Sequence, residues 1–192
     1  MSVLFSRRRD QTTRAIGAFL VVINQSGPAC HQQACGKGSL AIYAPDAQGD
    51  DAPRQVIAEG IAEPGAVAAF TDGSIYVANQ SSMDCSPGFC ESFGPSSIRV
   101  YAMRRKGHFA LRATIRGNNT GLDLPSFPYG IALDSSGNIY TLSTDTYDYS
   151  GAADQILIFP RGAKGYVAPP LAVFGSWAYG PVALALAPAI AP

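Results

Sequence analysis

Short runs of apolar residues alternate along this chain with clusters of Gly, Asp, Ser and Asn. The clearest example is an apolar run over 128–133, a turn cluster over 134–137, and a run rich in β-branched and aromatic residues over 138–143. Such runs, bounded by turn residues, are typical of strands joined by tight hairpins. The 20 Gly and 14 Pro residues among 192 are too many for long helices. The pattern therefore predicts an all-β fold.

One phrase recurs three times at a spacing of 58 residues, beginning at Ile42, Val100 and Ile158. Each copy reads as two strands joined by a hairpin, a long polar loop, a third strand that ends in the phrase, and a fourth, edge-like strand. A repeat period is the strongest guide to architecture in such a chain. Four strands in one up-and-down unit make a propeller blade. The repeat therefore predicts β-propeller blades of four antiparallel strands.

Two motifs in the last copy carry a family resemblance. The wording P-x-G-I-A-L-D-S-S-G-N-I-Y over 128–140, followed by I-x-I-F-P-R-G-A-K-G over 156–165, resembles the NHL-type β-propeller repeats of bacterial proteins. The resemblance extends from about Ala15 to the end of the chain. It implies a binding scaffold or, in the alternative, a relative of calcium-dependent propeller lactonases and lyases, and fold alone does not choose between them.

Counting strands divides the chain into about three blades in a permuted register. We predict an unstructured lead-in over 1–14, a partial blade over 15–63, blades over 64–127 and 128–179, and the first strand of a further blade over 180–192. Propellers close with about 4 to 8 blades, so three cannot form a ring alone. The chain is then either a fragment of a longer propeller, which we prefer, or half of a homodimer that completes a six-bladed ring.

The four cysteines form two C-x4-C pairs that occupy the same loop of consecutive blades: Cys30 with Cys35, and Cys85 with Cys90. The third copy of the loop lacks both cysteines, and cysteines that are present or absent as a pair are typical of a local disulfide. A zinc site is less favoured, because zinc needs four ligands. Disulfides imply an oxidising compartment, so we predict that the protein is exported.

The first 30 residues superficially resemble a signal peptide, with three arginines at 7–9 followed by an apolar run over 15–23. The repeat contradicts this interpretation, because 19–25 aligns with the strand predicted over 74–80. No apolar run approaches the roughly 18 residues of a membrane span, so none is predicted.

Little in the chain suggests catalysis or nucleic-acid binding. The formal net charge is +0 and 15% of residues are charged, whereas a nucleic-acid partner calls for a basic surface. No nucleophile elbow, P-loop or dinucleotide motif is present, and His31 and His108 are the only histidines. Glu59, Glu63 and Asp123 stand singly in predicted blade connections, so no metal site is predicted. Calcium remains only an implication of the lactonase resemblance.

The predicted recognition surface consists of the long loops between second and third strands, together with a blade connection. Such loops carry function disproportionately, and aromatic residues beside hydrogen-bonding groups suit peptides and sugars. The candidate residues are Phe89, Glu91, Asp145, Tyr147, Asp148, Tyr149, Trp177 and Tyr179. We therefore predict a non-enzymatic scaffold for a protein, peptide or glycan. The alternatives are a divalent-metal-dependent lactonase-like or lyase-like enzyme and a fragment without independent function.

Overall fold

The computed structural model of the protein is all-β, with three four-stranded antiparallel sheets and one two-stranded hairpin. No helix in the part of the chain that it describes is long and apolar enough to cross a membrane. The described residues are 3–9, 15–24, 38–80, 82–86, 89–93, 96–104, 107–122, 126–145, 154–174 and 183–186.

The first sheet takes its strands in chain order: β1 (Val3–Arg9), β2 (Ala15–Asn24), β3 (Ser39–Tyr43) and β4 (Gln55–Ile57). The structure places strand β1 within the stretch over 1–14 that the sequence predicts as an unstructured lead-in, and the strand covers half of that stretch. Val3, Leu4 and Phe5 lie opposite three apolar residues of β2 in an antiparallel register. Pairing of β1 satisfies a backbone edge of β2 that would otherwise lie open. The first sheet is therefore complete.

The second sheet contains an insertion between its second and third strands. Its members are β5 (Pro64–Ala69), β6 (Ile75–Asn79), β9 (Ser97–Met103) and β10 (Phe109–Arg116), and the inserted hairpin consists of β7 (Ser82–Ser86) and β8 (Phe89–Phe93). Within the sheet the order is β5-β6-β9-β10, so each strand again pairs with its neighbours in the chain once the hairpin is set aside.

The third sheet repeats this order with β11 (Ser126–Leu133), β12 (Ile139–Asp145), β13 (Gln155–Phe159) and β14 (Leu171–Phe174). The predicted turn between β11 and β12 is confirmed. Asp134 Oδ1 accepts hydrogen bonds from the backbone N–H groups of Ser136 and Asn138, at 2.9 and 2.8 Å. Desolvation in the turn raises the pKa of Asp134, but these bonds, together with one from the Asn138 side chain, outweigh it and hold the pKa below its ordinary value. The turn is thus capped by its own carboxylate.

The three sheets lie side by side and do not close into a ring over the described residues. The first strand of the central sheet, β5, lies against β11 on one side and against β1 and β2 on the other. Residues 183–186 carry no strand, in contrast to the strand predicted over 180–192, but the Leu184 backbone lies against Gly130 of β11. The first sheet also differs from the permuted register predicted for it, because β1 supplies the first strand that the prediction left out.

The central sheet is buried on both faces, and each face forms a separate core. We call the contact between the first and second sheets the first junction, and that between the second and third sheets the second junction. Along β9, Tyr101 packs into the first junction and its neighbour Val100 into the second, as expected from the alternation of side chains along a strand. In the first junction Phe19 meets Phe109 edge to face, with ring centroids 5.6 Å apart.

Candidate functional site

The predicted recognition loop of the second sheet folds as the separate hairpin β7–β8. Phe89 and Glu91 occupy alternate positions of β8, and Cys85 of β7 lies directly opposite Cys90 in the backbone register. Cα atoms of directly opposed antiparallel residues are about 4.5 to 5.5 Å apart, which falls within the range that a disulfide spans. The register is therefore compatible with the predicted Cys85–Cys90 bond.

Buried polar residues attach the base of this hairpin to the connection between the first two sheets. Asn79 ends β6, is 3% exposed, and its Oδ1 accepts a hydrogen bond of 2.7 Å from the Ala62 N–H. Its Nδ2 donates to Ser97 Oγ, at 3.4 Å, where β9 resumes the sheet. The hairpin therefore extends from a base that is held by hydrogen bonds. This base lies beside the connection between the first and second sheets.

Of the other predicted recognition residues, Asp145 alone lies within the described residues. Asp145 ends β12, opposite Ser126 of β11. The remaining predicted residues lie outside the described residues: Tyr147, Asp148, Tyr149, Trp177, Tyr179, and the cysteines Cys30 and Cys35.

A second candidate site, which the sequence interpretation missed, is a cavity of about 490 Å³ at the outer side of the first junction. It lies between β4 of the first sheet and the paired strands β9 and β10 of the second. We call it the junction groove. Its polar lining residues are Gln55, Glu59, Arg99 and Tyr101, and Val56 and Leu111 are among its apolar residues.

Two buried polar atoms of the junction groove have no hydrogen-bond partner in the described part of the protein. These are Tyr101 Oη and Arg99 Nε. Tyr101 is 2% exposed, so its hydroxyl is shielded from bulk water. Arg99 acts on this hydroxyl both by its charge and by a side-chain hydrogen-bonding contact, but that contact falls short of normal hydrogen-bond geometry and leaves Arg99 Nε and Tyr101 Oη without a well-formed bond. A buried polar group without a partner is unfavourable by about 1 to 3 kcal/mol, which makes such a pair uncommon unless a ligand or water uses it.

The electrostatics of the junction groove keep Tyr101 protonated at neutral pH. Burial raises the pKa of the Tyr101 hydroxyl, the charge of Arg99 and its hydrogen-bonding contact oppose this rise, and the negative charge of Glu59 adds a smaller upward contribution. Glu59 is exposed at the rim and is not paired with Arg99, since the one ion pair among the described residues joins Arg161 to Asp72. The inner end of the groove therefore presents hydrogen-bond donors, and the rim carries a carboxylate.

The inner end is held in place from both sheets. The Gln55 side chain donates to the Phe109 carbonyl and accepts from the Phe109 N–H, at 2.9 and 2.8 Å, and so joins β4 to β10. Gly60, at φ +69°, passes directly over the guanidinium of Arg99, where a β-carbon would overlap it. The absence of a side chain at this left-handed position lets the connection approach Arg99 so closely.

One signal in the sequence could have revealed the junction groove. The positions 58 residues before and after Arg99 hold Ala41 and Leu157, which are 3% and 1% exposed. An arginine at a repeat position that is otherwise apolar is a local departure from the repeat. The sequence does not show what Arg99 faces, because the other wall of the groove comes from the first sheet.

No metal-ligand set is found within the described residues of either candidate site. The described residues hold no group of three His, Cys, Asp or Glu side chains that could bind a metal ion. Glu59 lines the junction groove, whereas Glu63 stands alone in the connection to β5, at φ +40°, and burial raises its pKa. Asp123 lies outside the described residues.

No family model matches the chain, and no curated protein or solved structure matches it significantly. The resemblance to NHL-type repeats is therefore supported only as far as the all-β fold of antiparallel sheets.

Proposed function

We propose that this protein is a non-enzymatic binding scaffold of the NHL-like propeller type. In this proposal its three sheets are propeller blades, and it recognises a protein, peptide or glycan through the loops between second and third strands. The observation that carries the proposal is the hairpin β7–β8, which interrupts the second sheet without disturbing the pairing of β6 with β9.

The arrangement of the sheets supports their interpretation as blades. Each is an up-and-down sheet of four strands, and the first strands of neighbouring sheets lie against each other. At Gly65 of β5, a β-carbon would come within 3.0 Å of the Pro128 carbonyl oxygen of β11. Such close approach of successive first strands is the packing expected near the axis of a propeller.

The hairpin suits recognition because it extends from a hydrogen-bonded base and lies outside the pairing of the four-stranded sheet. Loops on rigid scaffolds are the usual carriers of binding function. Phe89 and Glu91 provide an aromatic ring and a carboxylate two residues apart, which suits a peptide or a sugar with hydroxyl donors. A disulfide between Cys85 and Cys90 would hold the hairpin and would accompany export to an oxidising compartment.

The experiment is a glycan and peptide array probed with the oxidised, full-length protein, followed by titration of each hit. We expect the double variant Phe89→Ala/Glu91→Gln to weaken binding at least tenfold, and Tyr147→Ala/Tyr149→Ala to weaken it as well. The control Arg54→Ala alters an exposed residue just before β4, outside the junction groove and far from these loops in the chain, and is expected to bind normally. Unchanged binding by both loop variants would reject this placement of the site.

The export part of the proposal has its own measurement. Peptide mapping by mass spectrometry without reduction is expected to find Cys85 linked to Cys90, and Cys30 linked to Cys35. Free thiols at all four positions in protein purified from its native compartment would contradict the export proposal without affecting the choice of loops.

A further inference from the structure

We propose that the junction groove binds a small organic monocarboxylate with an apolar body, its carboxylate received by Arg99 and Tyr101. This site is separate from the hairpin, and the proposal does not depend on the function proposed above.

The hydrogen-bonding groups at the inner end select a carboxylate. Arg99 Nε and Tyr101 Oη are both donors, and both are buried without a partner in the described part of the protein. A guanidinium and a neighbouring hydroxyl match the two oxygens of a carboxylate, and hydrogen bonds to ionised groups are about twice as strong as neutral ones. A ligand carboxylate would therefore satisfy both groups at once.

The charge and shape of the groove narrow the class of ligand further. Glu59 lies near enough to influence Tyr101, so its negative charge disfavours dianions such as phosphate esters. Val56 and Leu111 are 55% and 46% exposed, and both line the groove. Exposed apolar side chains at a cavity mouth are typical of ligand sites, and a cavity of about 490 Å³ is in the usual size range for small molecules.

The repeat indicates that the groove is a specific construction of this junction. In the third sheet the counterparts of Arg99 and Tyr101 are Leu157 and Phe159, which are 1% and 0% exposed. The first-sheet counterpart of Tyr101 is also a tyrosine, Tyr43, so Arg99 is the residue that departs from both other copies. Arg99 adds a second donor on the face of β9 that carries the Tyr101 hydroxyl, and both residues line the junction groove.

The test uses 3-phenylpropionate as the probe, with 3-phenylpropanamide and 3-phenylpropylamine as neutral and cationic controls. The full chain is labelled with 13C-tyrosine, and the signal that disappears in Tyr101→Phe identifies Tyr101. We expect the Tyr101 signal to shift saturably with the carboxylate. The amide and the amine should produce no comparable shift.

Three variants complete the test, and the first of them introduces the residue found at the equivalent position of the third sheet. Arg99→Leu places the residue of the third sheet in the groove and should weaken probe binding at least tenfold, and Arg99→Lys, which keeps the charge but loses the planar fork, should weaken it less. Arg116→Leu, at an exposed position outside the groove, should bind as the parent does. Equal binding of acid and amide, no shift of Tyr101, or full affinity in both Arg99 variants would overturn the proposal.

Discussion

The two junctions of the central sheet share one plan. In each, a connection passes over β9 or β13 through a glycine in the left-handed region, Gly60 at φ +69° and Gly121 at φ +70°. Each glycine precedes a buried aliphatic residue, Ile61 or Leu122. The side chain beneath the glycine is Arg99 in the first junction and Leu157 in the second. The backbone plan therefore tolerates both a charged and an apolar side chain at this point.

The junctions differ in which groups fill the space around Arg99 and Leu157. In the second junction Thr120 is fully buried and bonds to the Gly117 carbonyl at 2.6 Å, while its counterpart in the first, Glu59, is exposed. The Gly165 backbone bonds to Thr114 and Arg116 of β10, at 2.7 and 3.1 Å, and so adds main chain to the second junction. In the first junction a side chain, that of Gln55, makes the link. Sealing by backbone favours a dry core, and linking by a side chain leaves a groove.

The largest effect is expected from placing a charge in the second junction. Leu157→Arg puts a guanidinium where the native side chain is 1% exposed, and an uncompensated buried charge reduces the free energy of unfolding by about 3 to 5 kcal/mol. Leu157→Met, which conserves volume, serves as the control and should lose less than about 1.5 kcal/mol. Chemical denaturation measures both. A loss below about 1 kcal/mol for Leu157→Arg would show that the second junction also accommodates a charge.

The reverse exchange in the first junction is expected to have a smaller effect of opposite sign. Arg99→Leu removes a buried, unpartnered donor and should raise the free energy of unfolding of the ligand-free protein by about 1 kcal/mol. Arg116→Leu, at an exposed position, should remain within about 0.5 kcal/mol of the parent. Thermal and urea unfolding are the measurements. A clear loss of stability would mean that the Arg99 stem packs as a core residue and that the two junctions are energetically alike.

The smallest effect concerns an ion pair that belongs to the second junction alone. Arg161 lies 3.2 Å from Asp72 and 4.6 Å from the centroid of the Phe70 ring, and so joins the second and third sheets. Burial opposes ionisation of Asp72, but hydrogen bonds from Ser74 and the charges of Arg161 and Arg112 hold its pKa below the ordinary value of 3.8. Ionised Asp72 therefore stabilises the protein above about pH 3.8, and this contribution disappears as the pH falls through the lower folded value.

Asp72→Asn tests this pH dependence. At neutral pH the variant should be less stable than the parent by under about 1 kcal/mol, because Arg161 is 51% exposed and its pairing is screened by water. In acid, below both pKa values, the difference between the two proteins should disappear. Urea unfolding at neutral pH and at about pH 2 makes the comparison. A difference that persists in acid would assign the effect to lost packing or hydrogen bonds rather than to the charge.

Local chemistry made parts of this structure predictable. The Asp134 turn follows from a short acceptor side chain placed two and four residues before the N–H groups that it binds, and the observed hydrogen bonds confirm it. Strand β1 was missed because it precedes the first recognisable copy of the repeat, and its apolar residues acquire a role only through their register with β2. The sequence predicts a loop where the structure has the hairpin β7–β8, since the pairing of this hairpin lies outside the four-strand unit.

The sequence by itself determined the all-β fold, the four-strand unit and the positions where one copy departs from the others, because these depend on residues close together in the chain. Only the tertiary structure decided what the departures do. Arg99 and Tyr101 lie on a central strand, whereas Glu59 comes from the connection that leaves the preceding sheet. These groups meet because two sheets pack face to face, and the burial that leaves their donors without partners arises from that packing.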